Sequence, residues 1–233
     1  MTGVLYGIGV GPGAADLLTV RAVNTLRTCQ VVFYPTGAGG ESRARAAAAP
    51  YLADHAREYP FKLELHDPDA MAATYDQVAT DAQAAVQTGA RVAILCLGDP
   101  LLYGSLAEII PRLAVPIDLQ PGISAYSAAA TMIPAALACR DQPLMVVPAT
   151  RPDLADWLVR EGGMVLVKPG KDLARLVRLI QQAGRLEQAV LVGDLSLSPP
   201  PIIPLADAAK AKGAYFSMIV IPATRHLGSG ASS

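Results

Sequence analysis

At 233 residues the chain is long enough for one large or two small domains, and 52% hydrophobic content with a mean hydropathy of +0.34 excludes a disordered chain. Its 19 Lys and Arg against 20 Asp and Glu leave a net charge of −1 without a dense basic cluster, which argues against nucleic acid as the main partner. The longest apolar stretches, 92–97 and 217–221, fall far short of the roughly 20 residues of a membrane span, and no basic region with an apolar stretch and cleavage site opens the sequence, so a cytoplasmic protein is expected.

In chain order, short apolar strands alternate with helices, the pattern of an α/β protein with a largely parallel sheet. A strand over 4–9 precedes a helix over 19–28, in which Ala22, Val23 and Leu26 share a face and Thr19 is the N-cap. A strand at 31–34, a helix around 42–52 and a long helix over 70–87 follow, the last with Met71, Tyr75, Val78, Ala82 and Val86 on one stripe. A strand over 91–97 runs into Gly98-Asp99-Pro100. Near Pro116 the organisation restarts: a strand at 117–120, the turn Pro121-Gly122-Ile123-Ser124, then a helix over 125–131 whose small side chains permit close packing. Strands near 143–147, 164–168, 190–192 and 215–221 and helices near 153–160 and 173–183 complete the pattern. Pro-rich 198–201 is a loop or an exposed edge, and 226–233 is expected to be a disordered tail.

The glycine turn after the first strand, Gly7-Ile8-Gly9-Val10-Gly11-Pro12-Gly13, has three readings. Gly9 to Ala14 fits the loose dinucleotide pattern G-x-G-x-x-A, but that reading requires an acid ending the next strand about 20 residues on, and Val31-Val32-Phe33-Tyr34-Pro35 has none. A phosphate-binding Walker loop requires Gly-Lys-Ser/Thr, and no Lys precedes Lys62. The third reading is a tight strand-to-helix turn without a ligand. A second glycine turn at Gly98-Asp99-Pro100 pairs with the first as two sides of one cradle. The three cysteines, Cys29, Cys96 and Cys139, lack C-x-x-C spacing and read as thiols in a reducing compartment, and the three isolated histidines form no metal-ligand set.

Five ordered segments resemble the tetrapyrrole methylases that use S-adenosyl-methionine: Gly9-Val10-Gly11-Pro12-Gly13 with Leu17-Leu18-Thr19 behind it, Leu97-Gly98-Asp99-Pro100-Leu101-Leu102-Tyr103, Pro121-Gly122-Ile123-Ser124-Ala125, Val165-Leu166-Val167-Lys168 and Tyr215-Phe216-Ser217-Met218-Ile219. The last two look like the branch of the family that methylates carbon 20 of precorrin-2. The resemblance implies two α/β domains, 1–115 and 116–225, with the active-site cleft between them, a homodimer, and a small-molecule tetrapyrrole substrate. It places S-adenosyl-methionine (product S-adenosyl-homocysteine) against Gly98, Asp99, Pro100, Leu102, Tyr103, Ser124, Ala125, Lys168 and Leu195. It turns Gly9, Gly11, Pro12 and Gly13 toward the tetrapyrrole. One departure is Gly13-Ala14-Ala15-Asp16, where many members have Gly-Asp-Pro, so Asp16 receives no role.

Methyl transfer from a sulfonium is an in-line displacement that loses charge at sulfur, so alignment and desolvation can supply much of its rate. A base to take the proton left on the methylated carbon would be Asp99 or Tyr103. Each candidate also has a plain alternative. Asp99 caps a helix over 102–112, Tyr103 is a core aromatic, and Lys168 is a solvated strand end or the partner of a ligand carboxylate. Arg43 and Arg45 lie on an exposed helix and are secondary candidates for substrate carboxylates. The rival functions are methylation at C11, at C17 or of uroporphyrinogen III, and, from another class, a non-catalytic nucleotide-binding module.

Overall fold

The computed structural model describes residues 3–133, 135–170, 172–210 and 216–223, so the expected tail and the start of the last strand at Tyr215 lie outside the described residues. Two compact units divide the chain, 1–125 and 126–233.

In the first unit, β1 (Val4–Gly9), β2 (Val31–Thr36), β3 (Arg57–Lys62), β4 (Arg91–Cys96) and β5 (Ile117–Gln120) form a sheet of order β3-β2-β4-β1-β5 in which every pairing is parallel. β1 and β4 are buried almost throughout, as a strand covered on both faces requires. The helices divide between the faces. α1 (Val20–Leu26) and α2 (Arg43–Ala48) bury Ala22, Leu26, Ala44, Ala47 and Ala48 against Ile8, Val32 and Leu95. α3 (Pro68–Gln87) and α4 (Ser105–Ile109) bury Tyr75, Val78, Leu106 and Ile109 against Leu5, Phe33 and Ile94 on the other. The expected cap is present: the Thr19 hydroxyl accepts from Ala22 N. α3 starts earlier than the apolar stripe indicates, because Asp67 accepts from Asp69 N and Ala70 N and Pro68 tolerates the first helical position.

The first compact unit ends at residue 125, ten residues beyond the expected 115, because β5 joins the first sheet beside β1, with Leu5 opposite Ile117 and Ile8 opposite Gln120. β3 is absent from the sequence reading: Arg-Glu-Tyr-Pro-Phe-Lys is polar and carries Pro60, which an edge strand accommodates.

The second unit contains β6 (Leu144–Pro148), α5 (Ala125–Thr131, its first residue in the first unit), α6 (Leu154–Leu158), β7 (Gly163–Val167), α7 (Leu173–Gln182), β8 (Val190–Val192), β9 (Ile202–Pro204) and β10 (Met218–Ile221). Its sheet runs β6-β7-β10-β8-β9. Here the expectation of largely parallel pairing is corrected: β6 and β7 are parallel, but β10 is antiparallel to both β7 and β8, and β8 to β9. No helix separates β8 from β9, and a direct connection of that kind returns the chain antiparallel. Leu154, Leu158, Leu173, Leu176 and Ile180 pack on Met164, Leu166, Leu191 and Ile219. Among the described residues no helix is long and apolar enough to cross a membrane.

All three cysteines are free, with Cys29 and Cys96 buried and Cys139 partly exposed. Burial pushes the Cys29 thiol up to about 12 and the Cys96 thiol up to about 11, with Arg91 partly opposing the shift at Cys29. A disulfide reagent at pH 8 is therefore expected to modify Cys139 quickly and the other two only on unfolding. Rapid reaction of all three in the native protein would contradict this packing.

Candidate functional site

β4, β1 and β5 are neighbours, and a glycine turn leaves the carboxyl end of each. The connection from β1 passes to the face of α1 and that from β4 to the face of α4, so the chain departs from adjacent strand ends in opposite directions. Such a switch point is where open parallel sheets form their ligand crevices.

The first and second turns are joined by backbone. Gly98 N donates to Gly11 O at 2.7 Å, and Gly11 N to Gly98 O at 3.3 Å. Both glycines are left-handed, at φ +71° and +75°, a conformation that side chains disfavour. The second and third turns are joined by Asp99: its Oδ1 accepts from Leu101 N at 3.0 Å and its Oδ2 from Gly122 N at 3.2 Å. Between them the backbones touch directly. A Cβ on Gly9 would stand 2.6 Å from Gly122 N and 2.7 Å from Gly98 O, and one on Gly122 would overlap Gly98 O. The junction is therefore a patch of bare main chain.

The predicted residues of the first unit sort by depth around this junction. Gly9, Gly11, Pro12, Gly98 and Pro100 are buried, while Gly13, Asp99 and Ala125 are partly exposed. Ser124 is 9% exposed, and Ala125 N lies 4.0 Å from where a Cβ of Gly98 would be. Leu101, Leu102 and Tyr103 are exposed on the same turn, with Tyr103 at φ +58°. This corrects the core-aromatic alternative for Tyr103. A non-glycine residue held in that region carries backbone strain of the kind that clusters at ligand sites. The helix-cap alternative for Asp99 is also corrected: α4 begins at Ser105 with Gly104 as its N-cap, beyond the reach of an Asp99 cap. Leu101, to which the resemblance assigns no role, stands beside Leu102 and Tyr103; its signal in the sequence is the run of three large side chains directly after a Gly-Asp-Pro turn.

Lys168 and Leu195 belong to the second unit. β7 and β8 both pair with Met218 of β10, through Val167 and Val192, so both strands end on one side of that sheet. Lys168 follows β7, exposed and at φ +55°, and Leu195 is buried in the loop after β8. Among the described residues no cluster of His, Cys, Asp and Glu could hold a metal ion.

Arg45 is not available to a substrate carboxylate. Its Nε and Nη2 donate to Glu58 Oε2 and Oε1, each at 2.9 Å, and the Tyr34 hydroxyl donates to the same carboxylate. The Arg45 hydrogen bond holds Glu58 below its ordinary 4.5, a depressed carboxylate whose contribution to stability is present above that value and is lost as pH falls through the lowered one. With side chains 44% and 28% exposed, Arg45→Met is expected to cost less than about 1 kcal/mol at neutral pH. Urea midpoints of variant and parent should converge as pH falls through the lowered value of Glu58; a difference undiminished by acid would exclude the pair as its source.

A family model described as "Tetrapyrrole (Corrin/Porphyrin) Methylases" matches residues 4–199. A precorrin-2 C(20)-methyltransferase from Sinorhizobium sp is 33% identical over 94% of this chain and 95% of its own length. A cobalt-precorrin-2 C(20)-methyltransferase from Salmonella typhimurium is 31% identical over 84% and 86%. Among solved structures, uroporphyrin-III C-methyl transferase from Thermus thermophilus, complexed with S-adenyl homocysteine, has the same fold with a TM-score of 0.69 at 20% identity, covering 94% of this chain and 92% of that one.

Proposed function

Since this chain belongs to the tetrapyrrole (corrin/porphyrin) methylases, we propose that it transfers the methyl group of S-adenosyl-methionine to carbon 20 of precorrin-2 or of its cobalt complex, in corrin synthesis. The observation that carries this reading is the junction of Gly9, Gly98 and Gly122, where three strand ends present main chain without side chains beside an exposed Leu101-Leu102-Tyr103 segment. The choice of carbon 20 is supported by the relatives of that name, which match most of the chain.

The junction suits S-adenosyl-methionine. The glycine turns let main chain approach a ligand closely, and the exposed Leu101, Leu102 and Tyr103 side chains offer a wall for an aromatic base. Gly98, Pro100, Leu102, Tyr103, Ser124 and Ala125 are proposed to hold it, with Lys168 and Leu195 of the second unit as further contacts and the Lys168 ammonium answering a carboxylate. Bound there, the cofactor supplies a methyl group activated on a sulfonium. The chain's own contribution is alignment and exclusion of water, which for an in-line displacement supplies rate without a nucleophilic side chain. The Gly11-Pro12-Gly13 turn is proposed to face the tetrapyrrole, with Gly9 beneath it in the junction. Tyr103, exposed on the second turn, is the proposed aid to departure of the proton from the methylated carbon.

The proposal includes a cytoplasmic homodimer. Three free thiols among the described residues support the reducing setting, and the dimer, which rests on the family resemblance, is checked by sedimentation. The function is tested by anaerobic incubation of the purified protein with S-adenosyl-methionine and either metal-free precorrin-2 or its cobalt form. A tetrapyrrole product heavier by one methyl group is expected; cofactor binding with neither substrate methylated would move the activity to another ring system.

A further inference from the structure

Asp99 is a direct cofactor contact or a base in the sequence reading, yet both its carboxylate oxygens are engaged by the chain's own amides. Oδ1 accepts from Leu101 N and Oδ2 from Gly122 N, 3.0 Å and 3.2 Å away. These bonds do different things. The first folds the second turn on itself, which sets where Leu101, Leu102 and Tyr103 emerge. The second crosses 23 residues of sequence to the turn after β5. β4 and β5 are not paired with each other, since β1 lies between them. Gly9, the last residue of β1, fills that space with no side chain, so the carboxylate spans the end of a strand that is bare where the three turns meet. The Gly11 and Gly98 pair closes the same junction from the other side.

We infer that Asp99 is a positioning residue: its carboxylate ties the turn after β4 to the turn after β5 and so fixes the main chain of Gly98, Ser124 and Ala125 against which the cofactor lies, without itself touching the cofactor or accepting the substrate's proton. The inference rests on the methyltransferase reading for the identity of the ligand, but the tie between the turns does not. Charge-assisted bonds to backbone amides are stronger than neutral ones, and the bond to Gly122 N links the ends of two strands that form no ladder with each other.

Asp99→Asn keeps the shape and one accepting oxygen but turns an amide donor toward one of the two N–H groups, so one link is lost; Asp99→Ala loses both. In the protein without cofactor, the Gly122 amide should exchange about tenfold faster in Asp99→Ala, the loss expected for one hydrogen bond to a charged acceptor. The Kd for S-adenosyl-homocysteine should rise by about tenfold in Asp99→Asn and further in Asp99→Ala. KM for S-adenosyl-methionine should rise more than kcat falls, and the pH profile of kcat should keep its shape. The inference is overturned if Asp99→Asn binds S-adenosyl-homocysteine like the parent while kcat collapses and the acidic limb of its pH profile disappears, because that is the behaviour of a base. It is also overturned if Gly122 protection and affinity are both unchanged. Failure of the functional reading looks different: the parent protein would bind no S-adenosyl-homocysteine, while the Asp99-dependent protection of Gly122 remained.

Discussion

Gly122→Ala is expected to disable the protein more than any other single methyl addition at the strand ends. The new Cβ would overlap Gly98 O and stand 2.8 Å from Gly9 C and 2.9 Å from Gly9 Cα. All of these are backbone atoms of the two neighbouring turns, so no side chain can rotate away, and relief requires the turn after β5 to move off the other two. That movement also stretches the Gly122 N to Asp99 bond. Added methylenes in packed interiors typically cost about 1–3 kcal/mol, and the upper part of that range applies where the obstacle is main chain. The expected result is a lower urea midpoint, together with an affinity for S-adenosyl-homocysteine reduced by at least about tenfold by calorimetry, the equivalent of one hydrogen bond to a charged group. Gly39→Ala is the control. A Cβ there meets nothing within 4 Å, and a surface change of this kind should stay within about 0.5 kcal/mol. Equal behaviour of the two variants would show that the three turns do not meet as described.

Leu106→Ala is expected to have the largest effect on stability. Leu106 is fully buried on α4, a helix of five residues held by packing rather than by its own length. Its Cδ1 lies 3.2 Å from where a Cβ of Gly7 would be, so Leu106 shares with Leu119 and Ile117 the space that Gly7 leaves open in the middle of β1. Removing it leaves a cavity among residues that include Ile94, Cys96 and Ile109, and truncations of this kind cost about 2–5 kcal/mol. Because the exposed Leu101-Leu102-Tyr103 segment leads directly into α4, loss of the anchor should also weaken cofactor binding. A urea midpoint within error of the parent would contradict the packing of α4 on the sheet.

The local signals in the sequence carried far, and the reason is visible in particular residues. Thr19 as a cap, the Tyr75, Val78 and Ala82 stripe and the glycine turns at the ends of β1, β4 and β5 depend on neighbours within a few positions, and each is present. What stayed hidden depends on partners distant in sequence. β3 joins the first sheet although Pro60 and its charges conceal it, because an edge strand can leave one side unpaired. β10 reads as one more apolar strand, and nothing in Met218–Ile221 reveals that it runs antiparallel between β7 and β8. Asp99 lies 23 residues from Gly122, so its spacing shows an aspartate in a turn but not the amide it holds. Arg45 reads as a solvated cation because Glu58, its partner, stands on the strand that was missed.

The most direct test of the central claim is the position of the transferred methyl group. S-adenosyl-methionine carrying a ¹³C-labelled methyl, incubated anaerobically with the protein and with precorrin-2 or its cobalt complex, should yield a tetrapyrrole with one labelled carbon bonded to carbon 20 by NMR. Label at a different ring carbon, or no label on either substrate from protein that binds S-adenosyl-homocysteine, would contradict it.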